Sequence, residues 1–158
     1  MTEASKAKLL ADRVRAMATV VLTRRDDLMI AETKRGTGLD LQVVIDRDDK
    51  PMRLAFGVLL RGISSTATAP RANGALGPTM GHFQGLRKFT YPVCLFFFTM
   101  QEDQEFFCWL AEPVMTPDGP KLVHHDKAAC VEFTRELLDQ IVERVIEWYD
   151  AVETLLIA

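Results

Sequence analysis

Asp40 is the side chain of this sequence whose type and position most invite chemistry. It follows the turn residues Gly36-Thr37-Gly38 and stands at the start of an apolar run, Leu39 to Ile45 (LDLQVVI). A carboxylate entering a sheet is unfavourable unless it is paired, hydrogen-bonded or bound to a metal. It can therefore cap the turn at a strand end, form an ion pair or hold a hard cation. The cluster His124-His125-Asp126 invites a metal reading, but adjacent residues on a strand point to opposite faces. No HxxxH or cysteine pair accompanies it, so it is read as a strand end followed by a helix cap, with no zinc site. His82 stands alone. Ser64 and Ser65 lack the GxSxG setting of an activated nucleophile. Gly74, Gly77, Gly81 and Gly85 fit neither a Walker loop nor a dinucleotide fingerprint. Arg71, Arg87 and Lys88 flank the same stretch and are the candidate phosphate contacts, with Phe83 and Phe89 available for stacking; the alternative is that these cations only keep the segment soluble.

The elements that must position these residues follow from hydrophobic spacing. In residues 6–22, Leu9, Leu10, Val14, Met17 and Val21 recur at three- and four-residue steps and draw an apolar helix stripe. Leu28 to Glu32 is a short apolar run. Leu39 to Ile45, a charged turn at residues 46–51 and Met52 to Gly62 form an antiparallel hairpin. Residues 64–85, mostly Ser, Thr, Ala, Gly and Pro, show no usable period and are read as a flexible loop, either a functional lid or a disordered segment. Pro92 to Thr99 (PVCLFFFT) has the continuous apolar character of a strand buried on both faces, and Glu105 to Glu112 completes a second hairpin. Pro117-Asp118-Gly119-Pro120 is a turn. Asp126 is the expected N-cap of a long helix over about residues 127–156. Its stripe of Leu138, Ile141, Val142, Val145, Tyr149, Val152 and Leu156 either packs on the sheet or forms a homodimer seam. The predicted fold is α/β, one domain spanning residues 1–158, with a mixed sheet between helices.

Composition bounds the function without choosing it. With 158 residues, 48% hydrophobic and 26% charged, the chain is neither disordered nor collagen-like. Three scattered cysteines suit a reducing compartment better than a disulfide framework. No run approaches the roughly 18 apolar residues of a membrane span, and the first eleven residues lack the pattern of a secretion signal; a cytoplasmic location away from membranes is expected. The net charge of −3 hides an asymmetry: residues 1–100 carry 15 basic and 9 acidic side chains, residues 101–158 carry 4 and 13. Nucleic-acid affinity comes largely from neutralised phosphates, so any such partner should meet residues 1–100.

GLDLQVV (residues 38–44), a charged turn, FGVLLRG (residues 56–62), then PVCLFFF and FFCWL resemble a group of small bacterial PD-(D/E)XK nuclease-like proteins catalogued as a domain of unknown function. The resemblance spans roughly residues 8–112 in element order and implies a restriction-endonuclease-like core. In that superfamily an aspartate and a carboxylate or glutamine on the next strand hold Mg²⁺, and a lysine two residues on orients the attacking water or stabilises the phosphorane. By position Asp40 takes the aspartate role, Leu59 the second-ligand role and Arg61 the lysine role. Mg²⁺ requires oxygen donors, which leucine lacks, and Arg61 is a planar fork that does not deprotonate. The resemblance thus implies a degenerate site, no cofactor and a role in binding nucleic acid or protein, in a mobile-element or defence setting, with Arg61 supplying Asp40 with the charge a metal would bring. On that view Asp40→Asn is tolerated and Arg61→Ala lowers the melting temperature. An active Mg-dependent nuclease would need a relocated oxygen donor from Glu32, Asp12 or Gln42.

Overall fold

The structure, a computed structural model, describes residues 2–31, 33, 38–47, 54–83 and 89–157, with residues 82 and 83 described as backbone only. Helix α1 (Glu3–Leu22) begins at Thr2, whose hydroxyl accepts the Ser5 N–H. Strands β1 (Leu28–Ala31), β2 (Leu41–Ile45) and β3 (Leu54–Ile63) form an antiparallel meander. Two short helices, α2 (Ala69–Ala75) and α3 (Gly77–Phe83), then carry the chain to β4 (Val93–Thr99), which pairs parallel to β3. Next come β5 (Glu105–Thr116), β6 (Gly119–His124), the two-residue β7 (Val131–Glu132) and helix α4 (Arg135–Ile157). The sheet runs β1-β2-β3-β4-β5-β6, and β7 pairs with β5. It is a seven-stranded mixed sheet flanked by helices.

Alternation along the strands builds two apolar layers. On one face Leu41, Val43, Phe56, Val58, Phe96 and Phe107 meet Val14, Ala18 and Val21 of α1 and Leu138, Ile141, Val142 and Val145 of α4. Arg25, in the turn between α1 and β1, binds Asp27 and, at 2.6 Å, Asp139 of α4. On the other face Leu59, Leu95, Phe97, Phe106 and Leu110 meet Ala72, Leu76 and Met80 from the α2–α3 segment. Every residue of β4 is buried because both faces are covered. Helix α1 lies very close to β3: a Cβ placed at Gly62 would stand 2.5 Å from Val14 Cγ2. No helix among the described residues is long and apolar enough to cross a membrane.

Three sequence-based expectations are corrected. Residues 64–85 are not one loop: Thr68 caps α2 by accepting the Arg71 N–H, Pro70 sits in the first turn, and Ala72, Leu76 and Met80 bury a narrow face. Small residues gave that face too little contrast to register as a period. The last helix starts at Arg135, not near 127, and Asp126 is not its cap. The amides of His125, Cys130 and Phe133 donate to Leu110 O, Asn73 Oδ1 and Glu105 O, so this stretch is committed to the sheet and to α2. The Thr134 hydroxyl accepts the Leu137 N–H at the true start. Finally β5 continues past Glu112 to Thr116 and pairs with β6, a hairpin that the sequence reading did not include. The first part of the α4 stripe packs within the chain, with Leu138, Ile141, Val142 and Val145 buried on the sheet and the Tyr149 hydroxyl donating to Ala55 O at 2.6 Å, whereas Leu156 at its end is 76% exposed.

Candidate functional site

Gly38 turns the chain toward β2 with φ +77°, a left-handed conformation that glycine adopts without strain. Asp40 follows, one residue before the regular strand. Its N–H donates to Val58 O at 3.1 Å, and its Oδ2 accepts the Leu60 N–H at 2.8 Å. Where β2 has run out of backbone, the aspartate side chain supplies the next acceptor for β3. Arg61 lies 3.3 Å from the same oxygen and also donates to Leu60 O at 2.7 Å. The two side chains are 39% and 38% exposed, so their ion pair contributes about 0–1 kcal/mol. The bond from the Leu60 N–H is the shorter of the two contacts on this oxygen, 2.8 against 3.3 Å.

Asp40 and Arg61 open onto a groove of about 400 Å³ between α1 and the end of β3, lined also by Asp12, Arg15 and Leu60. Arg15 reaches Asp40 O at 3.4 Å. A second groove of about 540 Å³ lies across α1, where Lys6, Arg13, Ser64 and Met100 meet; Arg13 there pairs with Asp103 at 2.8 Å.

The other sequence candidates divide around this groove. Leu59 is fully buried and points into the opposite layer, toward α2 and α3. Position 59 therefore contributes neither an oxygen donor nor a groove wall. Leu41, Val43 and Ile45 pack toward α1 and α4, so Gln42, which alternates with them, lies on the other face of β2. Asp12 is exposed and shares the groove with Asp40. Arg71 is exposed on α2, which covers the opposite face of the sheet. Glu32, Arg87 and Lys88 lie outside the described residues, as do the side chains of His82 and Phe83. Phe89 is half-buried against the α2–α3 layer, and its carbonyl bonds His124 Nε2 at 3.0 Å, so it is packed rather than presented for stacking. Among the described residues no three His, Cys, Asp or Glu side chains gather into a set that would hold a metal.

One polar cluster escaped the sequence reading. Glu112 Oε1 lies 2.7 Å from His125 Nε2, and its Oε2 lies 2.7 Å from Arg144. Arg144 also donates to Pro113 O and sits 5.6 Å from the Trp109 ring centre. Burial opposes ionisation of Glu112, but the hydrogen bonds from Arg144 and His125 outweigh it and hold the carboxyl below its ordinary range. His124 and His125 thus have separate partners. Comparison with protein-family models, curated proteins and solved structures found no match.

Proposed function

We propose that this chain is a PD-(D/E)XK-like domain that has lost phosphodiester cleavage and acts by binding nucleic acid at the α1–β3 end. The observation that carries this reading is the use of Asp40: its carboxylate completes the hydrogen bonding of β3 through Leu60 N–H. The residue two before Arg61 is a leucine buried in the other layer. Mg²⁺ demands several converging oxygens; this donor set does not fit it, and no catalytic step is assigned. Element order supports the relationship: Gly38-x-Asp40, the β2–β3 hairpin, Pro92-Val93 opening β4 and Trp109 in β5 follow one another as in the resembled group.

Charge supports the choice of ligand. Helix α1 carries Lys6, Lys8, Arg13 and Arg15 against Glu3 and Asp12, and Arg61 adds a cation to the groove. Helix α4 carries six acidic and two basic residues, so a polyanion is disfavoured there and directed toward α1. A cytoplasmic role in a mobile-element or defence setting agrees with this reading. The test is fluorescence anisotropy with labelled duplex and single-stranded DNA across a salt series. Binding that weakens steeply with salt, weakens further in Arg15→Ala/Arg61→Ala and leaves the DNA intact with Mg²⁺ is expected. No binding at low salt would overturn it.

A second reading has one observation in its favour: Asp12 faces the same groove as Asp40. A working nuclease built on these two carboxylates would cleave DNA with Mg²⁺ and stop in either Asp12→Ala or Asp40→Asn.

A further inference from the structure

The register of β7 on β5 sets two cysteines against each other. Val131 faces Phe107 and Glu132 faces Phe106; one step further, Cys130 falls opposite Cys108. The Phe133 N–H donates to Glu105 O at 2.9 Å, which makes that pair and the Phe107–Val131 pair the hydrogen-bonded ones. Cys108–Cys130 is then a non-hydrogen-bonded position, where opposite Cα atoms approach to about 4.5 Å and side chains are closest. That spacing falls within the roughly 4.4–6.8 Å at which a disulfide closes without moving the backbone. The Cys130 N–H turns away to Asn73 Oδ1, at 2.7 Å, as such a position requires. Both side chains belong to the layer beneath α2 and α3.

We propose that Cys108 and Cys130 form a reversible redox site, oxidised by a low-molecular-weight disulfide such as glutathione disulfide to an intramolecular disulfide. This inference stands apart from the nuclease-like reading and survives its failure. Cys130 is the attacking thiol. The adjacent Cys108 thiol draws its pKa down while Cys130 and burial push that of Cys108 up, and its neighbours Ala129 and Val131 are exposed. Admitting the reagent requires local opening of β7, a two-residue strand off the main path of the sheet with Val131 exposed. The Cys130 thiolate attacks one glutathione sulfur, the glutathione S–S bond breaks and one glutathione leaves as a thiol. Cys108 then attacks the Cys130 sulfur of the mixed disulfide, giving up its proton, and the second glutathione leaves. Two protein thiols are oxidised and one glutathione disulfide is reduced to two thiols. Cys94 takes no part: it is fully buried in the other layer, with its thiol directed to Gly57 O.

The product would staple the segment preceding α4 to β5, and through Asn73 to α2. To test this, the full chain is equilibrated in glutathione buffers from reducing to oxidising, quenched in acid, alkylated and mapped by peptide mass spectrometry. Loss of two of the three free thiols is expected, with Cys108 linked to Cys130, Cys94 still alkylated and full reversal by dithiothreitol. Amide exchange at Val131–Phe133 should slow by about tenfold or more in the oxidised form. The Cys94→Ala variant should form the same link. Three alkylated thiols at the oxidising end, a persistent glutathione adduct on either cysteine or a link involving Cys94 would overturn the proposal.

Discussion

Asp40 and Glu112 are both carboxylates beside an arginine, and they are held in opposite ways. Asp40 is 39% exposed, its guanidinium partner is 3.3 Å away and its firm bond is to a backbone amide. Glu112 is 22% exposed and takes two 2.7 Å bonds, from Arg144 and His125. The first substitutes for missing strand backbone; the second joins β5, the end of β6 and α4 through charge. An acid beside an arginine is thus not one kind of feature. What else each oxygen accepts decides whether it anchors the fold or is open to a ligand.

This contrast orders the effects of substitution. Glu112→Ala removes the carboxylate shared by Arg144 and His125 and should lower stability by about 2–3 kcal/mol in urea unfolding; a loss no larger than that of Arg61→Ala would erase the distinction. Gly62→Ala forces a methyl against Val14 and should cost about 1–3 kcal/mol, because the Asp40 end is fixed by helix packing more than by charge. Asp40→Ala strands the Leu60 amide and should cost about 1–2 kcal/mol, whereas Asp40→Asn keeps an acceptor oxygen and should cost less. Arg61→Ala, losing a half-exposed pair, should cost under about 1 kcal/mol.

The pH dependence sharpens the same comparison. Glu112 titrates below its unfolded value of about 4.5, so its contribution is complete above that pH and is lost as pH falls through the lower folded value. In acid titrations of stability, Glu112→Gln should flatten this part of the loss. An unchanged acid limb would show that the Arg144 and His125 bonds do not persist in solution.

The strands were legible where burial wrote itself as composition. PVCLFFFT announced a doubly covered strand and LDLQVVI a strand, because β-branched and aromatic residues leave few other choices. The α2–α3 segment was not legible, since its apolar face is small and its helices are set by Thr68, Pro70 and tertiary contact. The start of α4 was misplaced because the amides of residues 125–133 find partners far away in sequence, at Leu110, Asn73 and Glu105. Leu59's lack of an oxygen donor could be read directly. That Asp40 caps a neighbouring strand rather than its own turn could not be read, because only the register of β2 on β3 brings the Leu60 amide to it. The Glu112 cluster had no local signature, because residues 112, 125 and 144 meet only after β6 returns along β5 and α4 packs across it.

Manganese broadening of amide signals in a ¹⁵N–¹H spectrum tests the role of Asp40 most directly. With substoichiometric Mn²⁺ the Leu60, Asp40 and Asp12 amides should stay as sharp as the rest of the sheet, since the carboxylate is engaged by Leu60 N–H. Selective broadening of those three signals that disappears in Asp40→Asn would contradict it.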